Sequence, residues 1–408
     1  MKFIARQPIL NLQREVFAYE LLFRQGTQNS CEGLNMEHAS TLMVDTSFLI
    51  GLSNLTDGRR AFINCTREFL LGEYISLFPR DQVVVEILET IEPDEAVVNA
   101  CRRLKHEGYL LALDDFVETP AWEPLVKLAD FIKVDFRLSS PEEQRALAER
   151  HRPHGIRMLA EKVETPEEFH TAKEMGYTLF QGYFFCRPEI LKQRDIPSFK
   201  LAYLDLLQTA TAPQFDMARL ASKVKHEPSI TYKLLRYLNS AAFGLSSEIR
   251  SIPHALNLLG ERELRKWISV VCVGVMTDGK PDELMMIPLV RGRFCEMLAP
   301  LAGLKDHESD LFMLGLLSVI DAILDMPLDV ILAELPVRFE IKEALLEQSS
   351  IYRDLLDAVI AHERADWEQV GKLAKRVGIR EDRFPELYAA AVDWASSVRR
   401  GEQVASTK

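Results

Sequence analysis

The chain has 408 residues and a formal net charge of −12, with 47% hydrophobic and 27% charged residues. This length exceeds what one ordinary hydrophobic core supports, so two domains of about 200 residues each are expected. The negative charge would repel phosphate backbones, which argues against nucleic acid as the main partner, and the composition lacks the bias toward Pro, Gly or Ser that marks disorder.

The cysteines and the apolar stretches indicate a protein of the reducing cytoplasm. Six cysteines are scattered without a CxxC pair, which is typical of buried thiols and not of a zinc site. The brief apolar stretch at the N-terminus is interrupted by Arg6, Gln7 and Pro8. It is therefore not expected to be a signal peptide, and it predicts a first strand instead. The most apolar later stretch, 267–276, is about half as long as a bilayer span requires, so no membrane segment is expected.

Up to about residue 190, short β-branched runs alternate with longer amphipathic stretches, a pattern typical of strand and helix units in a parallel sheet. Ser140 and Thr165 each precede a proline and glutamates in the order of a capping box, which predicts two helix starts. Eight strand candidates favour a closed (β/α)8 barrel over an open sheet. They are residues 2–6, 16–23, 61–64, 83–87, 109–113, 131–134, 157–159 and 179–181.

The segment 186–199, which contains Pro188 and Pro197, ends this alternation. Beyond it, apolar residues recur at helical spacing, so the second half is predicted to be all-helical. The sequence therefore predicts a barrel domain over 1–197, a helical domain over 198–398 and a flexible tail over 399–408.

Acidic and polar residues stand at or just after the ends of the predicted strands, where a parallel barrel carries its active site. Converging carboxylates repel one another unless a cation neutralises them, and oxygen ligands suit Mg²⁺, Mn²⁺ or Ca²⁺. A divalent-metal site that hydrolyses a phosphodiester is therefore one hypothesis. Taken singly, each acidic residue is more often a helix cap or a solvated loop residue. The set is Glu20, Asn64, Glu86, Asp114, Asp115, Lys133, Asp135, Glu161 and Gln181.

The first half resembles the EAL phosphodiesterase family in the order, spacing and strand context of its motifs. The resemblance implies an EAL-type (β/α)8 barrel that opens cyclic di-GMP to the linear dinucleotide pGpG with Mg²⁺ or Mn²⁺. The matching segments are 7–9, 19–24, 62–64, 86–89, 114–116, 133–135, 160–164 and 181–183.

The resemblance also implies a role for each site residue. Arg24 would clamp a phosphate, Lys133 would orient the attacking water or the metal shell, and Glu161 would be the general base. Gln181 and Gln7 would contact the ligand. Glu89 would support the loop after the paired aspartates. Glu20, Asn64, Glu86 and Asp114 would bind a first metal ion and Asp115 a second one.

Three departures from the family pattern put catalysis in question. Leu21 replaces an alanine, Lys162 replaces a glycine, and the loop 117–124 carries two prolines in place of a glycine- and serine-rich segment. Two main hypotheses follow: a signalling protein whose barrel binds cyclic di-GMP and metal without fast turnover, or an active phosphodiesterase. A scaffold that binds neither ligand is a third.

The second half resembles the HDOD domain, a relative of HD phosphohydrolases, in segments 226–244 and 249–260. Ser318 and Val319 stand where an HD enzyme has its His-Asp metal ligands, so a non-catalytic interaction domain is expected. The resemblance implies an unidentified protein partner for this domain. It also implies a homodimer, because EAL barrels often pair.

Overall fold

The computed structural model describes residues 2–25, 52–72, 74–188, 198–212 and 251–406, together with positions 214, 216, 220, 223, 235, 239 and 249. The chain forms two compact units. One is Met1–Phe185 with Glu363–Ala365, and the other is Cys186–His362 with Asp366–Lys408. The domain boundary predicted at residue 197 lies outside the described residues and stays a prediction.

The first unit contains a closed barrel in which each of eight strands pairs with the next and β8 returns to β1. This confirms the predicted barrel, and each strand lies where the sequence predicted one. The pairs from β2 to β8 are all parallel. The strands are β1 Lys2–Asn11, β2 Val16–Gln25, β3 Arg60–Cys65, β4 Val83–Ile87, β5 Leu110–Leu113, β6 Phe131–Asp135, β7 Arg157–Glu161 and β8 Leu179–Gln181.

Strand β1 departs from the predicted parallel sheet, because it runs antiparallel to both β2 and β8. A tight turn links it to β2, in which the Asn11 side chain accepts hydrogen bonds from the backbone of Gln13 and Glu15. Arg14 in this turn has a left-handed φ of 63°. A link this short can only reverse the chain direction, whereas a parallel neighbour requires a crossover of about a dozen residues.

Helices connect the parallel strands. Those at Pro141–His151 and Pro166–Met175 begin as predicted, each with a complete capping box from Ser140 or Thr165. The other helices in the described part of this unit are Leu52–Leu55, Arg67–Leu71, Glu95–Glu107 and Glu123–Val126, with 3-10 turns at Tyr74–Leu77, Pro120–Trp122 and Arg152–His154. A further 3-10 turn, Phe184–Cys186, spans the end of the unit.

An apolar layer fills the barrel interior, and every strand contributes one residue to it. All eight are buried, and the rings of Phe62 and Phe131 meet edge to face with their centroids 5.1 Å apart. Because strand side chains alternate between the two faces, the residues two positions along each strand also face the interior. The layer consists of Ile9, Ala18, Phe62, Val84, Ala112, Phe131, Leu159 and Leu179.

The described part of the second unit is helical, as predicted. The last helix continues to Ser406, within the range 399–408 for which the sequence predicts a flexible tail. The helices are Ser198–Thr211, Ile252–Met276, Glu283–Leu298, Glu308–Leu317, Ile320–Leu324, Leu328–Glu334, Phe339–Leu345, Ile351–Glu363, Trp367–Arg376 and Phe384–Ser406, with 3-10 turns at Ala299–Ala302, Lys305–His307 and Glu381–Arg383.

The core of this unit includes the apolar stretch 267–276. Trp267, Ile268 and Cys272 of that stretch are buried. The helices Glu283–Leu298 and Glu308–Leu317 approach so closely that a Cβ added at Gly315 would lie 2.4 Å from the neighbouring backbone. Within the described ranges, the structure has no helix with the length and apolar character needed to cross a membrane.

Most of the motif at 226–244 lies outside the described residues, including Ser240 and Gly244. Asn239 is described. Its side-chain amide donates hydrogen bonds to the backbone oxygens of Leu235 and Ile249 and accepts one from the Ile249 amide. Asn239 therefore ties two separate backbone segments together, which is a structural role.

His362 is completely buried in the helical unit, and neither ring nitrogen has a hydrogen-bond partner among the described residues. Burial lowers the pKa of this histidine to about 3. The ring is therefore neutral in the folded protein at physiological pH. The surrounding rings are those of Phe294, Trp367, Phe384 and Tyr388.

We expect His362 to make folding sensitive to acid. Below pH of about 6.5 the unfolded chain binds a proton at this residue that the folded chain does not, so stability falls with a slope approaching about 1.4 kcal/mol per pH unit. Denaturant titrations across this range should show that His362→Phe loses this dependence. The exposed His106, changed to Phe, serves as the control. Superimposable pH profiles for wild type and His362→Phe would contradict the prediction.

Candidate functional site

A ring of polar side chains lies next to the apolar layer. Each of the eight strands again contributes one residue, which lies in the strand or just after its end. In β2 to β8 the polar residue follows the layer residue by two positions, and in the antiparallel β1 it precedes it by two. Strand alternation therefore brings all eight to one level of the interior. They are Gln7, Glu20, Asn64, Glu86, Asp114, Lys133, Glu161 and Gln181.

Lys133 lies within this ring with its side chain only 1% exposed. Its Nζ lies 2.7 Å from Glu86 Oε1 and 2.7 Å from Asp114 Oδ1. The same atom lies 2.9 Å from Glu161 Oε1 and 3.3 Å from Glu20 Oε2. One buried cation therefore faces four carboxylates.

Burial and the excess negative charge together perturb the ionisation of the site. Burial, followed by repulsion from Glu20, raises the pKa of Glu86 well above its ordinary value. Burial also raises the pKa of Glu161 to about 8 although Lys133 opposes this. Burial by itself lowers the pKa of Lys133, but the surrounding carboxylates raise it well above its ordinary value. An additional positive charge would therefore be favourable here.

Several buried oxygen atoms of the site have no hydrogen-bond partner among the described residues. Asn64 donates to Glu20 Oε1 over 2.9 Å. Gln181 donates to Glu20 Oε2 over 2.6 Å and to Gln7 Oε1 over 2.9 Å. Buried carboxylate and amide oxygens without a donor are the ligands that hard divalent cations prefer, so this donor set fits such an ion. The atoms are Asn64 Oδ1, Glu86 Oε2, Asp115 Oδ1, Glu161 Oε2 and Gln181 Oε1.

Asp115 and Lys162 extend the site beyond the ring. One oxygen each of Asp114, Asp115 and Glu161 lie within 4.8 Å of one another. Burial, followed by repulsion from Asp114, raises the pKa of Asp115. Lys162 Nζ lies 3.9 Å from Asp115 Oδ2 and donates a hydrogen bond to Asp135.

Asp135 lies outside the ring in which the sequence placed it. It is two residues beyond Lys133, and its Oδ1 accepts hydrogen bonds from the backbone amides of Arg137 and Leu138. These bonds and the one from Lys162 give Asp135 a structural role in the turn that follows β6.

The loop 117–124 is anchored by specific contacts in addition to its two prolines. The buried Trp122 packs edge to face on Phe116, with ring centroids 6.2 Å apart. Glu118 Oε2 lies 2.6 Å from Arg150 Nη1, and Glu118 Oε1 lies 3.5 Å from His151 Nε2. The loop is therefore ordered beside the paired aspartates.

Two predicted site residues are not placed in contact with this cluster. Arg24 is in β2, and its side chain is not among those described. Glu89 is exposed in the turn after β4 and has no hydrogen bond or ion pair with any described residue. Neither observation tests the role predicted for the residue.

From the sequence, Lys162 is noted only as a departure from the EAL family pattern, and it is not predicted to lie in the site. The available signal was its position directly after Glu161 at the end of β7. Glu118 was also missed, because its partners Arg150 and His151 come from a distant helix.

In the helical unit, the positions of the missing His-Asp pair are filled by other interactions. Ser318 accepts a hydrogen bond from the buried Arg291 over 3.2 Å and donates one to the Gly315 carbonyl over 2.7 Å. Burial raises the pKa of the nearby Asp321. Among the described residues, the one cluster of three potential metal-binding side chains is in the barrel.

Known protein families match both halves of the chain. The EAL domain model matches residues 3–188, and the HDOD domain model matches residues 196–326. A Vibrio cholerae protein named cyclic di-GMP phosphodiesterase CdgJ is 35% identical over 402 residues, which cover 98% of this chain and 93% of the relative. The chain belongs to the EAL family and carries an HDOD domain. YuxH of Bacillus subtilis, an uncharacterised protein, is 33% identical over 97% of this chain and 98% of its own length.

Solved structures are also similar to part of this chain. One is the Klebsiella pneumoniae protein BlrP1 in complex with calcium and cyclic di-GMP. It is 25% identical, with a TM-score of 0.39 over 46% of this EAL–HDOD chain. The match covers 55% of the BlrP1 chain.

We expect Lys133→Met to destabilise the protein strongly. Removing the ammonium leaves buried carboxylates without their cation, which costs about 3–5 kcal/mol in the free energy of unfolding. Lys127→Met is the matched control, because Lys127 pairs with Glu123 on the exposed surface and contributes little. Chemical denaturation of both variants in metal-free buffer measures the difference. Equal stability of the two variants would refute a central role for the Lys133 ammonium.

Proposed function

We propose that the EAL barrel binds cyclic di-GMP together with a divalent cation, Mg²⁺ or Mn²⁺, and that the HDOD domain passes the signal to a protein partner. The observation that carries this proposal is the buried ring in which one lysine faces four carboxylates and several oxygen atoms lack partners. Such a ring has both the excess negative charge and the free oxygen ligands that a divalent cation requires.

We assign the cation to Glu20, Asn64, Glu86 and Asp114. The unpartnered Asn64 Oδ1 and Glu86 Oε2 support the assignment, because each is buried and open to a further bond. Lys133 Nζ contacts three of these residues, so it holds their carboxylates in place. A cation bound here would polarise a phosphodiester and lower the pKa of a coordinated water.

We propose that the nucleotide is held by Gln7, Gln181 and Arg24. Gln181 keeps a buried, unpartnered Oε1, which can accept a hydrogen bond from a ligand. Arg24 is proposed for a phosphate because a guanidinium matches phosphate oxygens with its planar fork. The anchored loop 117–124 would form part of the wall of this site, and Glu89, in the turn after β4, is the residue proposed to support it.

Hydrolysis to pGpG is the second candidate, and Glu161 favours it. Its pKa of about 8 suits a group that must accept a proton near neutral pH, and its Oε2 is unpartnered. The name of the relative CdgJ, a cyclic di-GMP phosphodiesterase, points the same way. Lys133, which lies 2.9 Å from Glu161, would position this base and the attacking water.

For the HDOD domain we propose an interaction role without chemistry. The Arg291 to Ser318 hydrogen bond at the site of the missing ligands supports this, because a buried arginine there disfavours a cation. A homodimer and a cytoplasmic location complete the proposal. Cys65, Cys101, Cys272 and Cys295 are buried free thiols, which is the state the cytoplasm maintains.

The test is to incubate the purified protein with cyclic di-GMP and Mg²⁺ or Mn²⁺, and to follow binding by calorimetry and pGpG by chromatography. We expect metal-dependent binding in the wild type and its loss in Glu20→Gln, which removes one ligand charge. Glu142→Gln, which alters an exposed helix residue, should behave as wild type.

The two candidates give different results in this assay. Binding without pGpG would identify a sensor, and pGpG formation that Glu20→Gln abolishes would identify a phosphodiesterase. Absence of binding with either metal would contradict the proposed function.

A further inference from the structure

Lys162 occupies an unusual backbone position at the edge of the acidic site. Its φ of 57° is left-handed, a conformation that favours glycine and is costly for a lysine. The residue is held there from both sides, because Glu161 pairs with Asp135 in the strand register and the Val163 amide donates to the Gln181 carbonyl. The lysine side chain therefore starts from a fixed point beside the paired aspartates.

The ammonium of Lys162 is directed at the acidic cluster. It donates a hydrogen bond to Asp135, which is itself fixed by the Arg137 and Leu138 amides, and it lies 3.9 Å from Asp115 Oδ2. Asp115 also has a buried Oδ1 without a partner among the described residues. One oxygen of Asp115 therefore lies near the Lys162 ammonium, and the other has no hydrogen-bond partner among the described residues.

The acidic site has an inner side near the Lys133 ammonium and an outer side near the Lys162 ammonium. On the inner side, Lys133 is 1% exposed and contacts Glu86, a residue with an unpartnered buried Oε2. On the outer side, the Lys162 side chain is 47% exposed and that of Asp115 is 31% exposed. Asp114 and Glu161, whose oxygens lie within 4.8 Å of an Asp115 oxygen, connect the two sides.

We propose that Lys162 acts as a tethered cation on the outer side, so that the site takes one divalent ion where its carboxylates would otherwise hold two. The inference rests on the proposed metal-binding function. An ion bound to Asp115 would lie a few ångströms from a fixed ammonium, and two positive charges at that distance repel strongly in a partly buried site. The inner ion would also lie near an ammonium, that of Lys133, but there a single lysine faces four carboxylates. On the outer side, Lys162 is paired with two carboxylates among the described residues, those of Asp115 and Asp135, so less negative charge is left to hold a second ion.

The experiment measures how many Mn²⁺ ions the full chain binds, by equilibrium dialysis with metal analysis and by the loss of the free Mn²⁺ resonance signal. Neither readout requires turnover. Lys162→Gln removes the charge and keeps a side chain of similar reach, whereas Lys162→Arg keeps the charge and is the matched control. Lys162→Gly is a second neutral variant whose backbone accepts the left-handed φ, and it decides the result if the glutamine variant does not fold.

We expect one Mn²⁺ per chain in the wild type and in Lys162→Arg, and two in the neutral variants, with the second site tightened by at least about tenfold. Two ions in the wild type, or one ion in every variant, would overturn the role of Lys162 while leaving metal binding intact. A second ion in Lys162→Arg would also overturn it, because the charge is then not the cause. No ion in any variant would overturn the proposed function together with this inference.

Discussion

The buried ammonium of Lys133 among four carboxylates is the interaction on which the polar interior of the barrel depends. Burying charge without compensation is costly, so a ring of this composition needs a cation, or protonation of some of its carboxylates, to exist. Lys133 supplies a single positive charge, which is not enough for full neutrality. Burial, reinforced by repulsion among the carboxylates, raises the pKa values of Glu86 and Glu161, and the remaining imbalance favours further positive charge.

The register of the strands brings one polar side chain from each strand or its end to the same level of the barrel interior, where these side chains form the site. A residue such as Phe62 packs in the apolar layer, and Asn64, two positions later, enters the polar ring. The same step relates Phe131 to Lys133. Because the step is repeated in every strand, the apolar layer excludes water on one side of the ring and the loops lie on the other. A slip of one residue in any strand would turn its polar group out of the interior.

The sequence predicted the barrel and most of its polar ring, because strand alternation and residues at strand ends are local signals. It did not predict the direction of β1, since an alternating pattern is the same for either direction and only the short turn after Asn11 decides it. It placed Asp135 in the ring because periodicity does not show how far along a strand the ring lies. The reach of Lys162 toward Asp115 depends on side-chain geometry at a left-handed residue, which no sequence pattern reveals.

The pairing of β1 with β8 limits how early during synthesis the barrel can close. Ile9 pairs with Gln181, so the first strand to leave the ribosome receives its second neighbour only after almost the entire domain has been synthesised. Contacts of such high sequence separation are slow to form because a long loop must close first. Until then the β1–β2 hairpin has an unpaired edge, which is an opportunity for incorrect association with other strands. The incompletely synthesised domain therefore keeps one edge of β1 open until β8 has been made.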